Sequence, residues 1–446
     1  MFGNRKNGKN GKSNTPVNNI PSLCKCPYCF KKFSPNLALF KAQTVYADQD
    51  LENLSDEERA QKEPYREKDD IEYARFWKDY PGTKTGYKYE RNPIISSKEI
   101  HPEYPSYIEE TQDADGFLYQ VTDAEGKATK VRICPLCHNP LPHEYGKYPV
   151  KYIAVVGITS SGKTVFLTQF LRRVEVFFAR VGLTTLGMHE EADDFVNKYP
   201  IERLKPLPSG NATDVLTLPI PLNVVNTKTG KKYTLIFYDI AGENCVNPEQ
   251  MDKYGKFVQN ADGIIMIIDP KQLSEVFHIS DEQMEERAAS PDKVVNAMFN
   301  AFLSADDNRK IPLAVALSKS DMLREYYGTA DMNMFHEINY ESYTDAGFPY
   351  EDYLNIDTEV QMLLEPRKNT VTQGTLLRNK LTATFPENHK FFAFSALSTK
   401  PVEKTDDKGV KYSTVEEDPM TTRIEEPVLW VLYKMGLIEE AHKRRP

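Results

Sequence analysis

The chain has no apolar run approaching the roughly 18 consecutive residues that a membrane-spanning helix needs. No apolar segment follows the charged start Met1–Lys6 either, which excludes the pattern of a secretory signal and predicts a cytoplasmic protein. Cysteine is scarce, six in 446 residues, and without an export signal so few thiols point to metal ligation or burial before disulfides. Acid is absent from the first 47 residues, which carry eight Lys and Arg; acids begin at Asp48 and dominate through Glu110. A net charge of −9 disfavours bulk nucleic-acid binding. The basic start keeps a local contact with nucleic acid or an anionic surface open beside the simpler reading of a solvated tail.

Composition then divides the chain. Residues 1–22, rich in Asn, Gly, Lys and Ser, cannot bury enough apolar area to offset their ordering entropy and are read as a disordered tail. Residues 23–149 hold two cysteine clusters separated by a long stretch rich in charge, Tyr and Pro. Near its end, Phe117–Val121, the turn Asp123–Gly126 and Lys130–Ile133 read as a β-hairpin. From residue 150 to 446, apolar strands alternate with amphipathic helical stretches, the signature of an α/β fold with a mostly parallel sheet flanked by helices. Strands are expected at Tyr152–Val156, Leu216–Val225, Tyr233–Tyr238, Gly263–Ile268, Leu313–Leu317 and Phe391–Phe394. Helices are expected at Thr164–Arg180, Pro291–Leu303, Thr372–Thr382 and Val428–Met435, with a long insert between Arg180 and Leu216. Residues 40–115 and 323–390 are expected to offer partner or regulatory surfaces.

Gly157-Ile158-Thr159-Ser160-Ser161-Gly162-Lys163-Thr164 matches G-x-x-x-x-G-K-[ST] between an apolar strand and an amphipathic helix. Backbone N–H groups from Ser160 through Val165 would wrap phosphates at the helix N-terminus. Lys163 would reach the β- and γ-phosphates, and the Thr164 hydroxyl would ligate Mg²⁺. The glycines are needed because a Cβ would obstruct the turn or the approach of phosphate oxygens. After the strand Tyr233–Tyr238, Asp239 can hold Mg²⁺ through water and Gly242 can offer its N–H to the γ-phosphate. Ser318-Lys319-Ser320-Asp321 follows a later strand. There Asp321 can accept from guanine N1–H and the 2-amino group, which adenine lacks, while Lys319 lays its stem over the base. Ser395-Ala396-Leu397 follows the last strand, where a backbone N–H can meet guanine O6.

These four segments, in this order, resemble the G1, G3, G4 and G5 boxes of P-loop GTPase domains of the translation-factor-related (TRAFAC) class, over about residues 150–446. Together with the preceding cysteine pairs Cys26/Cys29 and Cys134/Cys137, read as a zinc ribbon, the arrangement is similar to bacterial conflict-system GTPases. The resemblance implies Mg²⁺-dependent binding of GTP and GDP, hydrolysis, and switching on a protein effector or activator. Three departures modify that expectation. Ser318 stands where the family has Asn, weakening the brace between base loop and phosphate loop. Glu243 stands where many members have the glutamine that orients water, so hydrolysis is expected to be slow or partner-dependent. The switch threonine is Thr213 or Thr217, with Thr213 favoured. Competing readings are a P-loop ATPase or kinase, and a non-hydrolysing nucleotide-bound scaffold whose ribbon binds nucleic acid.

Cys26-Pro27-Tyr28-Cys29 and Cys134-Pro135-Leu136-Cys137 form two C-P-x-C knuckles able to hold one tetrahedral Zn²⁺. A four-thiolate site leaves no position for substrate, so its expected role is structural. Cys24 reads as a spare thiol, Cys245 as a small buried residue, and His138 and His143 as surface polar groups.

Overall fold

The structure is a computed structural model, and it describes residues 20–83, 85–157, 160–208, 215–241, 248–273, 295–296, 310–327, 331–365 and 371–444. Its centre is a seven-stranded sheet: β1 (Val150–Gly157), β2 (Leu183–Met188), β3 (Ile220–Asn226), β4 (Lys232–Ala241), β5 (Gly263–Ile268), β6 (Leu313–Leu317) and β7 (His389–Ala393). Strand order is β2-β3-β4-β1-β5-β6-β7. The pairs from β4 through β7 are parallel, while β2 and β3 add an antiparallel edge. Following β1, the α-helices among the described residues are α1 (Lys163–Arg172), α2 (Val174–Arg180), α3 (Glu190–Lys198), α4 (Pro248–Gln259), α5 (Ser320–Tyr327), α6 (Tyr350–Leu364), α7 (Gln373–Thr384) and α8 (Glu426–Lys434). The fold class is therefore the α/β, mostly parallel sheet flanked by helices that the alternation of strands and helices predicts.

Alternation along the strands assigns the two faces, because successive side chains point to opposite sides of a sheet. Ile153, Val155, Phe237 and Ile265 face α1, α2 and α8, around Phe166, Phe170, Phe177 and Trp430. Tyr152, Ala154, Tyr238 and Met266 face the other way, onto α4, α7 and the cysteine knuckles. The N-terminal module thus shares a core with the sheet. Phe30 sits edge-on to Tyr152, Tyr238 and Phe257, and the Tyr238 hydroxyl donates to the Pro27 carbonyl at 2.7 Å. Burial pushes the Tyr145, Tyr152 and Tyr238 phenols well above their ordinary range, so they act as neutral donors in this interface.

Several sequence expectations give way to tertiary contacts. The helix expected over Thr164–Arg180 is two helices, broken at Arg173, whose guanidinium donates to Thr421. The break lets Phe177 and Phe178 both meet Phe170. The insert after Arg180 supplies the edge strand β2 and helix α3. The expected strand from Leu216 begins only at Ile220, since the Leu216 N–H is taken by Thr83 Oγ1 at 2.8 Å. In the N-terminal module, Leu118–Thr122 pairs with Ala128–Thr129, whereas Arg132–Ile133 leaves that hairpin to pair with Leu39–Phe40. The Arg132 guanidinium, buried beneath it, donates to the Pro35 and Tyr145 carbonyls. The 40–115 stretch is not all free surface: Tyr73, Trp77 and Tyr80 are buried, and the Tyr80 hydroxyl donates to the Lys253 carbonyl on α4. Of the helix expected at 291–303 only residues 295–296 are described.

Candidate nucleotide and metal sites

Register places the phosphate-loop glycine. Gly157 ends β1 between Ala241 of β4 and Ile267 of β5, at the carboxyl edge where open α/β sheets bind ligands. A Cβ there would lie 2.6 Å from Ser161 Oγ and 2.7 Å from the Ile267 carbonyl oxygen. That carbonyl belongs to a central strand and cannot yield. Gly157→Ala is therefore expected to cost about 1–3 kcal/mol of stability, the usual range for overpacking, and to abolish nucleotide binding. Differential scanning fluorimetry and GDP titration measure both; a stable variant with unchanged affinity would contradict the geometry.

Gly162 begins α1 in the left-handed conformation (φ 86°), open to any residue only at a cost that glycine avoids. Lys163 Nζ donates to the Gly157 carbonyl at 2.7 Å, folded back over the loop. Thr164 Oγ1 donates to Asp239 Oδ2 at 2.9 Å, and both side chains are buried. Hydroxyl and carboxylate thus stand side by side at the start of α1 and near the end of β4, a donor set of the hard oxygen type that Mg²⁺ takes. Ser161 Oγ is buried without a hydrogen-bond partner inside the same loop.

Three separated segments meet at one cavity. A cavity of about 450 Å³ is lined by Ser160 through Val165, by Ser318, Lys319 and Asp321, and by Ser395, Ala396 and Leu397. Asp321, half-buried, lies in the first turn of α5. Ala396 is anchored by Gln169, which donates to its carbonyl at 3.0 Å, and Ser395 exchanges backbone bonds with Thr422. Thr217 is half-buried and is not among the lining residues. Ile158, Thr159, Thr213, Gly242, Glu243 and Cys245 lie outside the described residues.

The loop after β6 is braced to the loop after β1 by Lys319. Ser318 Oγ reaches only the neighbouring Ile268 carbonyl, at 3.3 Å. Lys319 Nζ donates to the Ser160 carbonyl at 3.0 Å and to Asp269 Oδ2, a buried carboxylate after β5. Lys319 (φ 54°) and Ser160 (φ 65°) both occupy left-handed backbone that side chains rarely adopt. Such conformations persist where surrounding contacts enforce them, as at ligand clamps. Asp269 escaped the sequence reading, although an acid capping the apolar run Gly263–Ile268 was its signal.

On the sheet face bearing Tyr152 and Tyr238, Cys26 Sγ lies 3.6 Å from Cys137 Sγ and Cys29 Sγ 3.9 Å from Cys134 Sγ, all four within 4.8 Å of one another. A tetrahedron with Zn–S bonds of about 2.3 Å has S···S edges of about 3.8 Å, so these thiols fit Zn²⁺. The knuckles are local copies of each other. Tyr28 N–H donates to Cys26 Sγ and Leu136 N–H to Cys134 Sγ, both at 3.4 Å. Phe30 and His138 close the two turns in left-handed backbone. Cys24 stands outside the cluster, and burial pushes its thiol up to about 12.

His138 is a correction to the sequence reading: it is buried, with Nδ1 2.7 Å from Asp70 Oδ1. Lys41, also buried, donates to Asp70 Oδ2 at 2.7 Å. Although burial opposes ionisation, the bonds from His138 and Lys41 pull Asp70 down to about 2. The position after a C-P-x-C knuckle looks like a surface turn in sequence; here the 40–115 stretch folds over it. Trp77 Nε1 donates to Asn139 Oδ1, and Asn139 Nδ2 to Cys137 Sγ, so the aromatic cover is joined to a cysteine of the cluster.

Residues 151–353 match the family model described as Double-GTPase 2. A putative ESX-1 scaffolding and assembly protein, SaeC, of Mycolicibacterium smegmatis is 24% identical over 206 residues, which are 44% of this chain and 53% of that protein. The chain thus spans about half the length of this curated relative. Similar solved structures include a GTP-binding protein from Sulfolobus solfataricus in complex with GDP, 12% identical over 55% of this chain and 47% of that chain, with a TM-score of 0.23. They also include an Era variant from Aquifex aeolicus bound to GDP·AlF4⁻, 13% identical over 67% of this chain and 60% of that chain, with a TM-score of 0.26.

Proposed function

We propose that this chain binds Mg²⁺-GTP and GDP in the cavity above Gly157, hydrolyses GTP slowly, and switches a protein partner. The observation that carries this reading is the convergence of the loops after β1, β6 and β7 on one cavity next to the Thr164–Asp239 pair. The Double-GTPase 2 match over residues 151–353 supports the choice of guanine nucleotide.

In this reading the N–H groups of residues 160–165 wrap the phosphates, and Lys163 exchanges its bond to the Gly157 carbonyl for one to phosphate. Thr164 and Asp239 hold Mg²⁺, which neutralises charge on the phosphates when bound. Asp321 accepts from the guanine edge, and Lys319 covers the base while anchored to Ser160 and Asp269. Glu243 replaces the neutral amide that would orient water, and its negative charge opposes that of the γ-phosphate, which argues for slow turnover. Thr213 serves as the switch threonine. Cys26, Cys29, Cys134 and Cys137 hold a structural Zn²⁺, and the protein works in the cytoplasm. The description of the mycobacterial relative as a scaffolding and assembly protein favours protein partners over nucleic acid.

Equilibrium titration with GTP, GDP and ATP, with and without Mg²⁺, tests the reading. GTP and GDP are expected to bind at least about 100-fold more tightly than ATP, because a pocket built to hydrogen-bond one base rejects another that lacks the donors. Phosphate release is expected at about 10⁻⁴ to 10⁻² s⁻¹, the range of unassisted switch GTPases. Equal affinity for ATP and GTP would turn the assignment towards an ATPase or kinase.

A further inference from the structure

Part of the cavity wall comes from none of the sequence motifs. Leu207 and Pro208 line it from the segment that follows α3, and Thr399, Lys400, Pro401 and Ser413 line it from the chain after β7. Thr399–Pro401 lead into, and Ser413 lies within, a hairpin of β8 (Val402–Thr405) and β9 (Lys411–Thr414). Most of this hairpin faces solvent, yet Thr414 is fully buried. An isolated two-stranded hairpin is marginal in water and needs a third segment.

That segment is 204–207. Leu204 N–H donates to the Val415 carbonyl and Leu207 N–H to the Ser413 carbonyl, each at 2.8 Å, while Thr414 Oγ1 donates to the Lys205 carbonyl at 2.7 Å. The bond from Leu207 to Ser413 joins two residues that both line the cavity. Two distant parts of the chain are therefore tied together across its wall, and one of them follows directly on the lining segment Ser395–Leu397. From these parts Leu207, Pro208 and Pro401 offer apolar surface suited to the face of a purine and the carbons of a ribose, beside the polar Thr399, Lys400 and Ser413, whereas the phosphate end is lined by Ser160 through Thr164.

We propose that segment 204–208 and the 399–415 hairpin form a strap that holds the purine-ribose half of the nucleotide and must part for it to enter or leave. Leu207 and Pro401 contact the ligand; Thr414 is a positioning residue that keeps the strap closed. The inference rests on the nucleotide-binding reading above. It assigns nucleotide retention to residues outside the phosphate and base motifs, and it makes entry and exit change together.

The test is association and dissociation of radiolabelled GDP, measured by filter binding on the full chain with Mg²⁺. Two variants are used: Thr414→Val, which removes one buried hydrogen bond with little change of shape, and replacement of residues 402–414 by a short Gly-Ser linker. Zinc content and melting temperature check that each folds. Thr414→Val is expected to speed release about five- to ten-fold, the effect of losing one such bond, and the linker variant by more. Association should accelerate as well, so that the equilibrium affinity changes less than either rate. A simple loss of ligand contact would raise the release rate alone and overturn the strap, as would unchanged rates in both folded variants. A wild-type protein that retains no GDP would instead overturn the nucleotide-binding reading, and the strap with it.

Discussion

The double substitution Cys26→Ser, Cys134→Ser is expected to take zinc from about one ion per chain to none, as read by elemental analysis of the purified protein. Each substitution removes one ligand from a different knuckle, so neither half can retain the metal through a complete pair of thiolates. Structural Zn²⁺ sites bind with an apparent free energy of about 10–16 kcal/mol at neutral pH, and this binding energy is folding energy for the segments joined. Here those segments are separated by more than a hundred residues and meet on the sheet face bearing Tyr152 and Tyr238. Loss of the metal should free the aromatic cover of Tyr73, Trp77 and Tyr80 from the knuckles. The melting temperature is expected to fall by on the order of 10 °C, equivalent to about 9 kcal/mol at an unfolding entropy of roughly 2.1 cal/mol/K per residue. Cys24→Ser is the contrast: Cys24 lies outside the thiolate cluster, so zinc content should be retained. A wild-type protein without zinc, or a double variant that keeps it, would remove the metal assignment.

Asp321→Asn is expected to exchange guanine for xanthine. The carboxylate offers two acceptors to guanine N1–H and its 2-amino group; the amide offers one acceptor and one donor, which suits the 2-oxo group of xanthine. Hydrogen bonds to a charged partner contribute about 1.5–3 kcal/mol each, so losing the one to the 2-amino group and the charge on the one to N1–H predicts a roughly 10²-fold loss of GTP affinity. XTP should bind the variant more tightly than GTP, while ATP remains weak for both proteins. The Lys319 brace to Ser160 and Asp269 does not involve the Asp321 side chain, so the phosphate loop should stay intact. Unchanged specificity would mean that Asp321 lines the cavity without reading the base.

The legible parts of this protein were those whose chemistry is written in adjacent residues. A phosphate loop needs Gly157, Gly162, Lys163 and Thr164 at fixed spacing, and a thiolate knuckle needs two cysteines across a short turn. Both can be read without knowing what surrounds them. The strand-ending positions of Asp239 and Ser318 were readable too, since buried parallel strands appear as short apolar runs. Strand β2 was harder to see because an edge strand such as Leu183–Met188 is exposed and lacks that signal. His138 was misread because its burial depends on Asp70 and Lys41, both remote in the chain. Asp269 and Thr414 carry little local signal of the lysine and the carbonyl that they meet.

By itself, then, the sequence determined the α/β alternation, the phosphate loop and the pairing of two knuckles, because local backbone geometry and ligand spacing require particular residues at short range. Only the tertiary structure decided that the knuckles pack on Tyr152 and Tyr238, that Lys319 makes the brace which Ser318 cannot, and that a hairpin far along the chain ties to Leu207 across the cavity. Those outcomes depend on which distant surfaces bury each other, and the cost of closing such loops is recovered only when the whole sheet is assembled.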